Sequence, residues 1–327
     1  MSFLTLTTAI EAWPLKVPFV IARGAKTEAK VVAVSVSDGM FLGRGECVPY
    51  ARYGETVESV VCAIEEAIGK SCIAGRDALQ DVLAPGAARN ALDCALWDLE
   101  AKRNRTSAAA LAGIDALRPL ETCYTLSLAS PGEMAAAAAA VPQMKLLKLK
   151  LGGEGDQDRM QAVRRARPDA RLVGDANEAW TPSMLLPLLT AASEAGIELI
   201  EQPLHADDDA ALMRIPHLVP ICADESAHSS SDILRLASRY DAVNIKLDKA
   251  GGLTEALDMA AEARRAGMRI MVGSMVATSL SIAPAFLVGQ DADWVDLDGP
   301  LLLARDREPG FTIENGFIGP PPGALWG

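Results

Sequence analysis

The sequence predicts an α/β protein in which an α+β unit precedes a barrel of alternating strands and helices. The first observation is a run of strand-like segments over residues 1–50, followed by helical periodicity to about Gly113. The second is the alternation of short apolar segments with amphipathic helices after Leu120, which favours parallel strands joined by crossover helices. The third is that this alternation provides eight strands before Arg305, which fits a closed barrel better than an open sheet.

The N-terminal unit begins with strands and continues with helices. TLTTAIEAW and EAKVVAVSVSDGMFLGRGECVP alternate apolar and polar residues, and Asp38-Gly39 is a hairpin signal. The segment between them, PFVIARGAKTEA, is predicted to be a polar-tipped connection that carries Arg23 and Lys26. The helical segments are ETVESVVCAIEEAIG and AARNALDCALWDLEAKRN. Strands followed by helices are typical of an α+β unit.

Eight short strands form the predicted barrel, and helical segments such as GDQDRMQAVRRARP, SSSDILRLASRY and LTEALDMAAEARRAG separate them. We expect the α+β unit to span residues 1–117 and the barrel residues 118–305. Residues 306–327 carry no strand–helix signal, so we expect them to pack back on the first unit. The predicted strands are TCYTLSL, KLLKLKL, ARLVGDA, IELIEQPL, PICADES, AVNIKLD, RIMVGSM and DWVDLDG.

Composition limits the partners. The 327 residues are 50% hydrophobic and carry a net charge of −12. This charge argues against nucleic acid and against an anionic membrane surface as partners. The N-terminus lacks a basic region followed by an apolar core, and no apolar run reaches the roughly 18 residues of a membrane span. We therefore expect neither a signal peptide nor a membrane segment.

Cysteine and histidine usage points to the cytoplasm and away from zinc. The six cysteines are scattered without a CxxC pair, which is typical of a reduced, cytoplasmic protein with buried thiols. The histidines at 205, 217 and 228 form no ligand pair, which argues against a zinc site. The cysteines are Cys47, Cys62, Cys72, Cys94, Cys123 and Cys222.

The segment MKLLKLKLGG, residues 144–153, carries two lysines in an otherwise apolar strand. Alternation places Lys148 and Lys150 on one face and Leu149 on the other. Burial and a like charge both favour the neutral amine, so one of the two could act as a base near neutral pH. A lone KxK of this kind is also compatible with a solvated strand end.

Charged residues recur at the ends of successive strands. This pattern favours a lysine that acts as a base over a solvated strand end. Lys150, Asp175, Glu201, Asp224 and Lys246 follow one another at intervals of 22 to 26 residues, about one strand–helix unit of a barrel. Each is therefore expected at the carboxyl end of its own strand, on the face where barrel enzymes carry out their chemistry. Five separately solvated strand ends would not explain this regular order.

The three central acids predict a metal site. Converging carboxylates repel one another unless a cation neutralises them, and an all-oxygen set suits Mg²⁺, or alternatively Mn²⁺. Lys150 and Lys246 would flank this site from opposite sides of the barrel mouth. A substrate carboxylate on the metal would have its α-carbon between two amines. One amine could then remove the α-proton and the other return it to the opposite face, through an enediolate whose charge the metal stabilises.

These residues and several longer motifs resemble the enolase superfamily, and within it the muconate-lactonising subgroup. AARNALDCALWDLEAK is similar to the helical signature of that subgroup. More narrowly, PFVIARGAKTEA, GECVPYARYGET, NIKLDKAGGLTEAL and DLDGP resemble the dipeptide epimerases that act on L-Ala-L-Glu and L-Ala-D-Glu. The resemblance covers essentially the whole chain and implies a (β/α)7β, TIM-like barrel with an α+β cap. A Lys or His base used together with Mg²⁺ is already known for this superfamily.

The resemblance also implies roles for individual residues. The metal-ligand positions correspond to Asp175, Glu201 and Asp224. Lys150 and Lys246 correspond to the acid/base pair, with Lys148 as a neighbouring charge that lowers the pKa of Lys150 and contacts the bound carboxylate. The DxD element of the last strand corresponds to Asp296 and Asp298, which receive the free α-ammonium of the dipeptide. Such an ammonium needs carboxylate partners when buried.

Arg23 lies in the cap loop that the resemblance predicts to close over the barrel, and it is suited to a glutamate side chain or is an ordinary surface arginine. Ala277 stands where many subgroup members carry glutamate, which favours a dipeptide epimerase over a muconate cycloisomerase. The resemblance further implies a homo-oligomer, a small dipeptide as the only substrate partner, and murein-peptide recycling.

Three alternatives remain at the level of sequence. The first two are an N-acylamino-acid racemase and an o-succinylbenzoate synthase, whose substrates lack the free α-ammonium that Asp296 and Asp298 would bind. The third is a non-catalytic binding protein built on the same barrel, against which the complete set of two lysines and three carboxylates argues.

Overall fold

The computed structural model describes residues 4–70 and 75–327. Cys72, one of the predicted buried thiols, lies outside the described residues. Of the other five cysteines, Cys47, Cys94, Cys123 and Cys222 are buried free thiols, and Cys62 is exposed. No helix in the described ranges is long and apolar enough to cross a membrane.

The N-terminal unit is an antiparallel sheet covered by helices, as predicted. Its strands, in the order β1-β2-β3, are β1 Thr5–Ile21, β2 Gly24–Ser37 and β3 Leu42–Cys47. The helices that follow are α1 Val57–Lys70, α2 Arg76–Val82, α3 Ala87–Asn104 and α4 Ala108–Leu111.

The predicted connection PFVIARGAKTEA is wrong in extent. Strand pairing continues to Ile21 opposite Gly24, so the connection is a tight turn at Ala22 and Arg23. The pairing of β1 with β2 shifts register between Pro14 and Phe19. Arg23 therefore lies at the tip of a long hairpin rather than in an open loop.

Two glycines of β3 let α3 lie directly on the sheet. A Cβ on Gly43 would be 2.1 Å from the carbonyl oxygen of Ala95, and one on Gly45 would be 2.1 Å from that of Ala91. Any larger residue would force the helix away from the sheet. The GRGEC segment thus fixes the packing of the cap and the position of the loop that follows it.

The second sheet is the predicted barrel, with eight parallel strands in sequential order from β5 to β12. The Cys123 N–H donates to the carbonyl oxygen of Val295 at 2.8 Å, which joins the two edge strands. The strands are β5 Tyr124–Leu126, β6 Leu146–Lys150, β7 Arg171–Asp175, β8 Ile197–Glu201, β9 Ile221–Ala223, β10 Ala242–Lys246, β11 Arg269–Gly273 and β12 Trp294–Asp296.

Helices of unequal length connect these strands. The β8–β9 connection has two short 3-10 turns, Ala206–Asp208 and Ala210–Arg214, and the segment SSSDILRLASRY forms only a 3-10 turn and one short helix, less than predicted. The helices are α5 Pro131–Ala139, α6 Asp156–Ala166, α7 Pro182–Glu194, α8 Ile233–Leu236, α9 Leu247–Ala250, α10 Leu253–Arg265, α11 Ser279–Val288 and α12 Gly299–Leu302.

The barrel interior has an apolar floor beneath a polar mouth. One buried residue from, or next to, each strand forms the floor, so the side chains above it are supported from below. These residues are Cys123, Leu146, Val173, Leu199, Cys222, Ala242, Met271 and Trp294.

The C-terminal tail contacts the cap. β13 Ile313–Glu314 and β14 Phe317–Ile318 form a small sheet with β4 Leu120–Glu121. Beyond it, the Trp326 indole N–H donates to the carbonyl oxygen of Cys94 on α3 at 3.0 Å. These contacts are those expected of a tail that packs back, while the domain limits at 117/118 and 305/306 stay predictions.

The cap is hydrogen-bonded to the barrel beside the end of β10. One carboxylate oxygen of Asp248, on α9, accepts the Val48 N–H at 3.0 Å and the Asn90 amide at 2.8 Å. The Arg89 guanidinium donates to the carbonyl oxygen of Gly251 at 3.1 Å. These bonds hold the cap against the segment that directly follows Lys246.

Candidate active site

The predicted strand-end residues lie together at one rim of the barrel. Lys150, Asp175 and Glu201 are register partners on β6, β7 and β8. Glu201 is the register partner of Cys222. Asp224 lies two residues beyond Cys222, so alternation places both on the same face. Lys246 is level with Gly273 of β11, which is level with Asp296 of β12.

A cavity of about 460 Å³ lies between this rim and the cap. The barrel contributes strand-end lysines and acids to its wall, and the cap contributes residues from the β1–β2 hairpin and from the loop after β3. The cap residues that line the cavity include Phe19, Arg23, Lys26, Tyr50, Arg52 and Tyr53.

Lys148 lies at the centre of the rim with only 1% of its surface exposed. Its ammonium is 3.1 Å from Asp175, 2.6 Å from Glu201 and 2.7 Å from Asp296. Burial alone would lower its pKa, but these three carboxylates raise it well above the usual value. Lys148 is therefore a fixed positive charge.

The two predicted acid/base lysines lie on either side of Lys148 and are nearly buried, at 7% and 8% exposure. The Lys150 ammonium is 2.6 Å from Asp175, and the Lys246 ammonium is 2.7 Å from Asp224. Burial would lower the pKa of Lys246, but Asp224 and Glu201 raise it well above the usual value. The lowered lysine pKa that the KxK pattern led us to expect is not found for Lys148, because the acids facing it outweigh burial.

The three predicted metal ligands are almost completely buried, with Asp175 and Glu201 at 0% and Asp224 at 2% exposure. Burial would raise the pKa of Asp175, but Lys150 and Lys148 lower it. The pKa of Glu201 is instead raised to about 7, because burial and the charge of Asp175 outweigh its lysine partners. The ammonium groups present do not fully balance the acids at this position.

Within residues 4–70 and 75–327, no three His, Cys, Asp or Glu side chains are arranged closely enough to hold a metal ion. The reason is that lysine ammonium groups lie between Asp175, Glu201 and Asp224. The donor set itself suits a hard divalent cation, because it consists of buried carboxylate oxygens on adjacent strands. Burial and the charge of Asp175 raise the pKa of Glu201, so the ammonium groups present do not fully compensate its charge. Asp175, Glu201 and Asp224 therefore fit a hard divalent cation.

Lys249 is a further buried lysine, and it was not among the residues predicted for the site. It is 2% exposed and donates to Asp224 Oδ1 at 2.6 Å and to the Asn244 carbonyl oxygen at 3.2 Å. It contacts Asp224 from behind the rim and leaves the other carboxylate oxygen to Lys246. The signal in the sequence was a second lysine three residues after Lys246, in KLDKAGG.

The DxD acids form a second acidic pair at the opposite side of the cavity from Asp224. Asp296 Oδ2 accepts Lys148, whereas its buried Oδ1 has no hydrogen-bond partner in the described part of the chain. Asp298 Oδ2 accepts the Thr125 N–H at 2.7 Å. Burial and the charge of Asp296 raise the pKa of Asp298 to about 7. The pair can accept an additional cation from the cavity.

Arg23 lines the cavity, but its charge is already balanced. It is 3.1 Å from Glu178 and 2.6 Å from Glu225, and it also donates to the Asn177 carbonyl oxygen at 2.8 Å. That it binds a substrate carboxylate stays a prediction. Lys26, three residues further on, has its ammonium 4.7 Å from the centre of the Tyr50 ring.

No carboxylate of the described chain lies within ion-pair distance of Lys26. An exposed, unbalanced cation next to a cavity is better placed to meet an anion than a guanidinium that two carboxylates already hold. The sequence places Lys26 in the same predicted connection as Arg23 but indicates no role for it. Its spacing from Arg23 could not show which of the two had acidic neighbours.

Two family models cover most of the chain. The model described as "Mandelate racemase / muconate lactonizing enzyme, N-terminal domain" matches residues 3–113, and "Enolase C-terminal domain-like" matches residues 133–324. The L-Ala-D/L-Glu epimerase of Escherichia coli K12 is 47% identical, with 94% of this chain and 97% of that protein covered. The N-acetyl-D-glutamate racemase of a Pseudoalteromonas species is 39% identical, with 91% and 95% covered.

Solved structures show the same similarity over the full length. An enolase family member from Agrobacterium tumefaciens, described as homologous to dipeptide epimerases and holding sodium and L-Ala-L-Glu, is 51% identical with a TM-score of 0.97. It covers 99% of this chain and 100% of its own. A dipeptide epimerase from Enterococcus faecalis V583, complexed with Mg and L-Leu-L-Tyr, is 27% identical with a TM-score of 0.90 and 99% of each chain covered.

Proposed function

Because the chain belongs to the mandelate racemase/muconate lactonizing enzyme family of the enolase superfamily, we propose that it is a metal-dependent dipeptide epimerase. The substrates we assign are L-Ala-L-Glu and L-Ala-D-Glu. One observation carries this assignment: two lysines face each other across a row of buried carboxylates, and a second acidic pair is available for an ammonium group.

Asp175, Glu201 and Asp224 would hold the metal, which we take to be Mg²⁺ with Mn²⁺ as the alternative. When bound, the metal would stabilise the negative charge that develops on the substrate carboxylate as the α-proton leaves. Support comes from the all-oxygen donor set and from the magnesium in the Enterococcus faecalis enzyme.

Lys150 and Lys246 would exchange the α-proton. They lie on β6 and β10, with β7, β8 and β9 between them, so their ammonium groups approach the cavity from opposite sides. One Nζ would take the proton from the L-epimer and the other from the D-epimer, each acting as acid when its partner acts as base. A lysine accepts a proton only as the free amine, so Asp175 and Asp224 must be engaged elsewhere when it acts.

Asp296 and Asp298 would bind the substrate's α-ammonium. Both are 6% exposed, and Asp296 Oδ1 has no partner in the described ranges. The pKa of Asp298 is raised, so its buried carboxylate gains from a cation placed between it and Asp296. Lys148 would keep Asp296 oriented and contribute its fixed charge to the substrate carboxylate.

Lys26 would meet the glutamate side chain, since it is the cation beside the cavity without a carboxylate partner in the part of the chain described. Arg23 is the other candidate, and its two carboxylate partners argue for a supporting role.

A second candidate function is racemisation of an N-acylated glutamate, which the Pseudoalteromonas relative favours. An acylated nitrogen carries no charge, so it would leave Asp296 and Asp298 without the cation they can accept. We therefore rank this reaction below dipeptide epimerisation. The cytoplasmic location inferred from the free thiols and a homo-oligomeric state remain part of the proposal.

Proton exchange tests the proposal directly. The protein is incubated with Mg²⁺ and L-Ala-L-Glu in D₂O, and the α-proton of the second residue is followed by NMR. We expect loss of that proton together with the appearance of L-Ala-D-Glu. Retention of the α-proton in every dipeptide tested would leave a binding protein as the better assignment.

A further inference from the structure

A single buried carboxylate of the barrel holds two separate loops of the cap. Glu178 lies in the loop after β7, and its side chain is 4% exposed. Arg23 comes from the tip of the β1–β2 hairpin and Arg52 from the 3-10 turn after β3. Both guanidinium groups converge on Glu178, although the two loops are far apart along the chain.

The contacts have the geometry of strong, oriented ion pairs. Arg52 donates to both oxygens of Glu178, from Nε at 3.0 Å and from Nη2 at 2.8 Å. Arg23 donates to Glu178 Oε2 at 3.1 Å. The Ala206 N–H completes the set, at 2.9 Å from Glu178 Oε1. A carboxylate bound in this way by a bidentate arginine fixes direction as well as distance.

The backbone at this point adopts an unusual conformation. Asn177 and Glu178 are consecutive non-glycine residues in the left-handed region, with φ of 44° and 69°. The Glu178 N–H donates to the carbonyl oxygen of Gln202 at 2.9 Å, which ties the loop to the end of β8. Left-handed residues of this type persist only where their surroundings impose them, and they cluster at functional sites. The loop therefore presents Glu178 toward the cap in a defined orientation.

The two loops that Glu178 holds also form the cap side of the cavity. The hairpin tip carries Lys26, and the loop after β3 carries Tyr50 and Tyr53. If the arginines were released, these side chains would lose their fixed position over the barrel mouth. Glu178 itself does not line the cavity between the rim and the cap. It would therefore act through the loops and not on the substrate.

We infer that Glu178 is a positioning residue that latches the two cap loops, through Arg23 and Arg52, over the substrate cavity. This inference rests on the proposed function, because a closed cavity matters only for a substrate that must be shielded and oriented. Burial would raise the pKa of Glu178, but hydrogen bonds from Arg52 and Ala206 and the charges of both arginines lower it. The carboxylate thus stays ionised and keeps both partners.

Hydrogen exchange without substrate tests the latch independently of activity. In Glu178→Gln, which keeps the side-chain volume but removes the charge, we expect the amides of residues 50–54 to exchange about tenfold faster, as for the loss of charged hydrogen bonds. The amides of residues 21–26 should exchange faster by a smaller factor, because Arg23 keeps its contacts with Glu225 and with the Asn177 carbonyl oxygen. The strand β10 should exchange as in the unmodified protein. Glu28→Gln is the matched control, since Glu28 lies on the same hairpin in an exposed ion pair with Lys30 at 3.6 Å.

Unchanged exchange in both loops would overturn the inference, and so would equal acceleration throughout the chain. Arg52→Gln provides a second variant that leaves Glu178 in place. It should open the same segments to a smaller degree, and the double variant should be no more open than Glu178→Gln, because both changes break one latch. Additive opening would mean that the two residues act separately.

Kinetics provide the functional measurement. Glu178→Gln should raise KM for L-Ala-L-Glu about tenfold while kcat changes less than about threefold, since the residue orders the binding site and touches no reacting atom. A fall in kcat at constant KM would contradict a positioning role. If the unmodified protein epimerises no dipeptide although its loops open in Glu178→Gln, the proposed function fails and the latch stands.

Discussion

Blocking the substrate amine examines the feature that separates a dipeptide epimerase from its acyl-amino-acid relatives. The perturbation is N-acetylation of L-Ala-L-Glu, which removes the positive charge that Asp296 and Asp298 would receive. We expect the acetylated dipeptide to have a kcat/KM about a hundredfold lower, because it leaves two desolvated acids without their cation.

The pKa of Asp298 sets the scale of the expected preference for the free dipeptide. The pKa of Asp298 is raised from 3.8 to about 7 by burial and by Asp296. A shift of about three units corresponds to roughly 4 kcal/mol of unfavourable interaction in the ionised form, at about 1.36 kcal/mol per unit. A hundredfold preference requires about 2.7 kcal/mol. A bound ammonium needs to recover only about two thirds of the penalty.

The assay compares kcat/KM for the free and the acetylated dipeptide by α-proton exchange in D₂O, with the unmodified protein and with Asp298→Gly. The variant should narrow the difference by slowing the free dipeptide more than the acetylated one. Equal rates for the two substrates with the unmodified protein would refute the ammonium site. That result would make the N-acylamino-acid racemase the better assignment.

The same pair of substrates has a defined pH dependence. Because the pKa of Asp298 is raised to about 7, its carboxyl is neutral below that pH and ionised above it. The ammonium binds the ionised form, so the preference for the free dipeptide should fall below pH 7, by up to about tenfold per unit. Effects of pH on the lysine bases are common to both substrates and cancel in the ratio. A constant ratio between pH 5 and pH 8 would exclude this role for Asp298.

Three further predictions concern the metal, the bases and the side-chain pocket. Chelation by EDTA should abolish epimerisation and Mg²⁺ should restore it; full turnover by metal-free protein would contradict the ligand assignment. Lys150→Ala and Lys246→Ala should each abolish epimerisation yet still exchange the α-proton of one epimer, a different one in each variant, and exchange of the same epimer by both would exclude a two-sided site. Lys26→Ala should reduce the kcat/KM preference for L-Ala-L-Glu over L-Ala-L-Leu about tenfold, the value of one charged hydrogen bond, whereas Arg23→Ala should slow both substrates with less change in their ratio.

The fold and the rim of the barrel could be predicted from local sequence. Alternation by two within KLLKLKL fixes which side chains share a face, and the intervals between strand ends follow from the length of one strand–helix unit. The predicted eight-stranded barrel is confirmed, and Lys150, Asp175 and Glu201 are register partners in it. These features depend on residues that are near one another in the chain.

The ion pairs that cross from cap to barrel could not be predicted in this way. Arg23 and Lys26 are three residues apart in one hairpin, and only the docking of that hairpin onto the loop after β7 decides which of them meets Glu178. The same holds for Lys249 on α9, whose importance lies in its contact with Asp224, directly after β9. Such pairings depend on tertiary distance, for which a single sequence contains no direct signal.

The balance of charge around the rim leaves two positions at which we expect a further cation. Four buried lysines face the acids, and two acids nevertheless keep a pKa near 7: Glu201, which burial and Asp175 raise, and Asp298, which burial and Asp296 raise. A raised carboxyl pKa marks a position where the positive charge present is insufficient. One such position lies among the proposed metal ligands and the other in the proposed ammonium site. We therefore expect the metal to neutralise the first position and the substrate's amino group the second, while the lysines of the rim serve the proposed proton transfer.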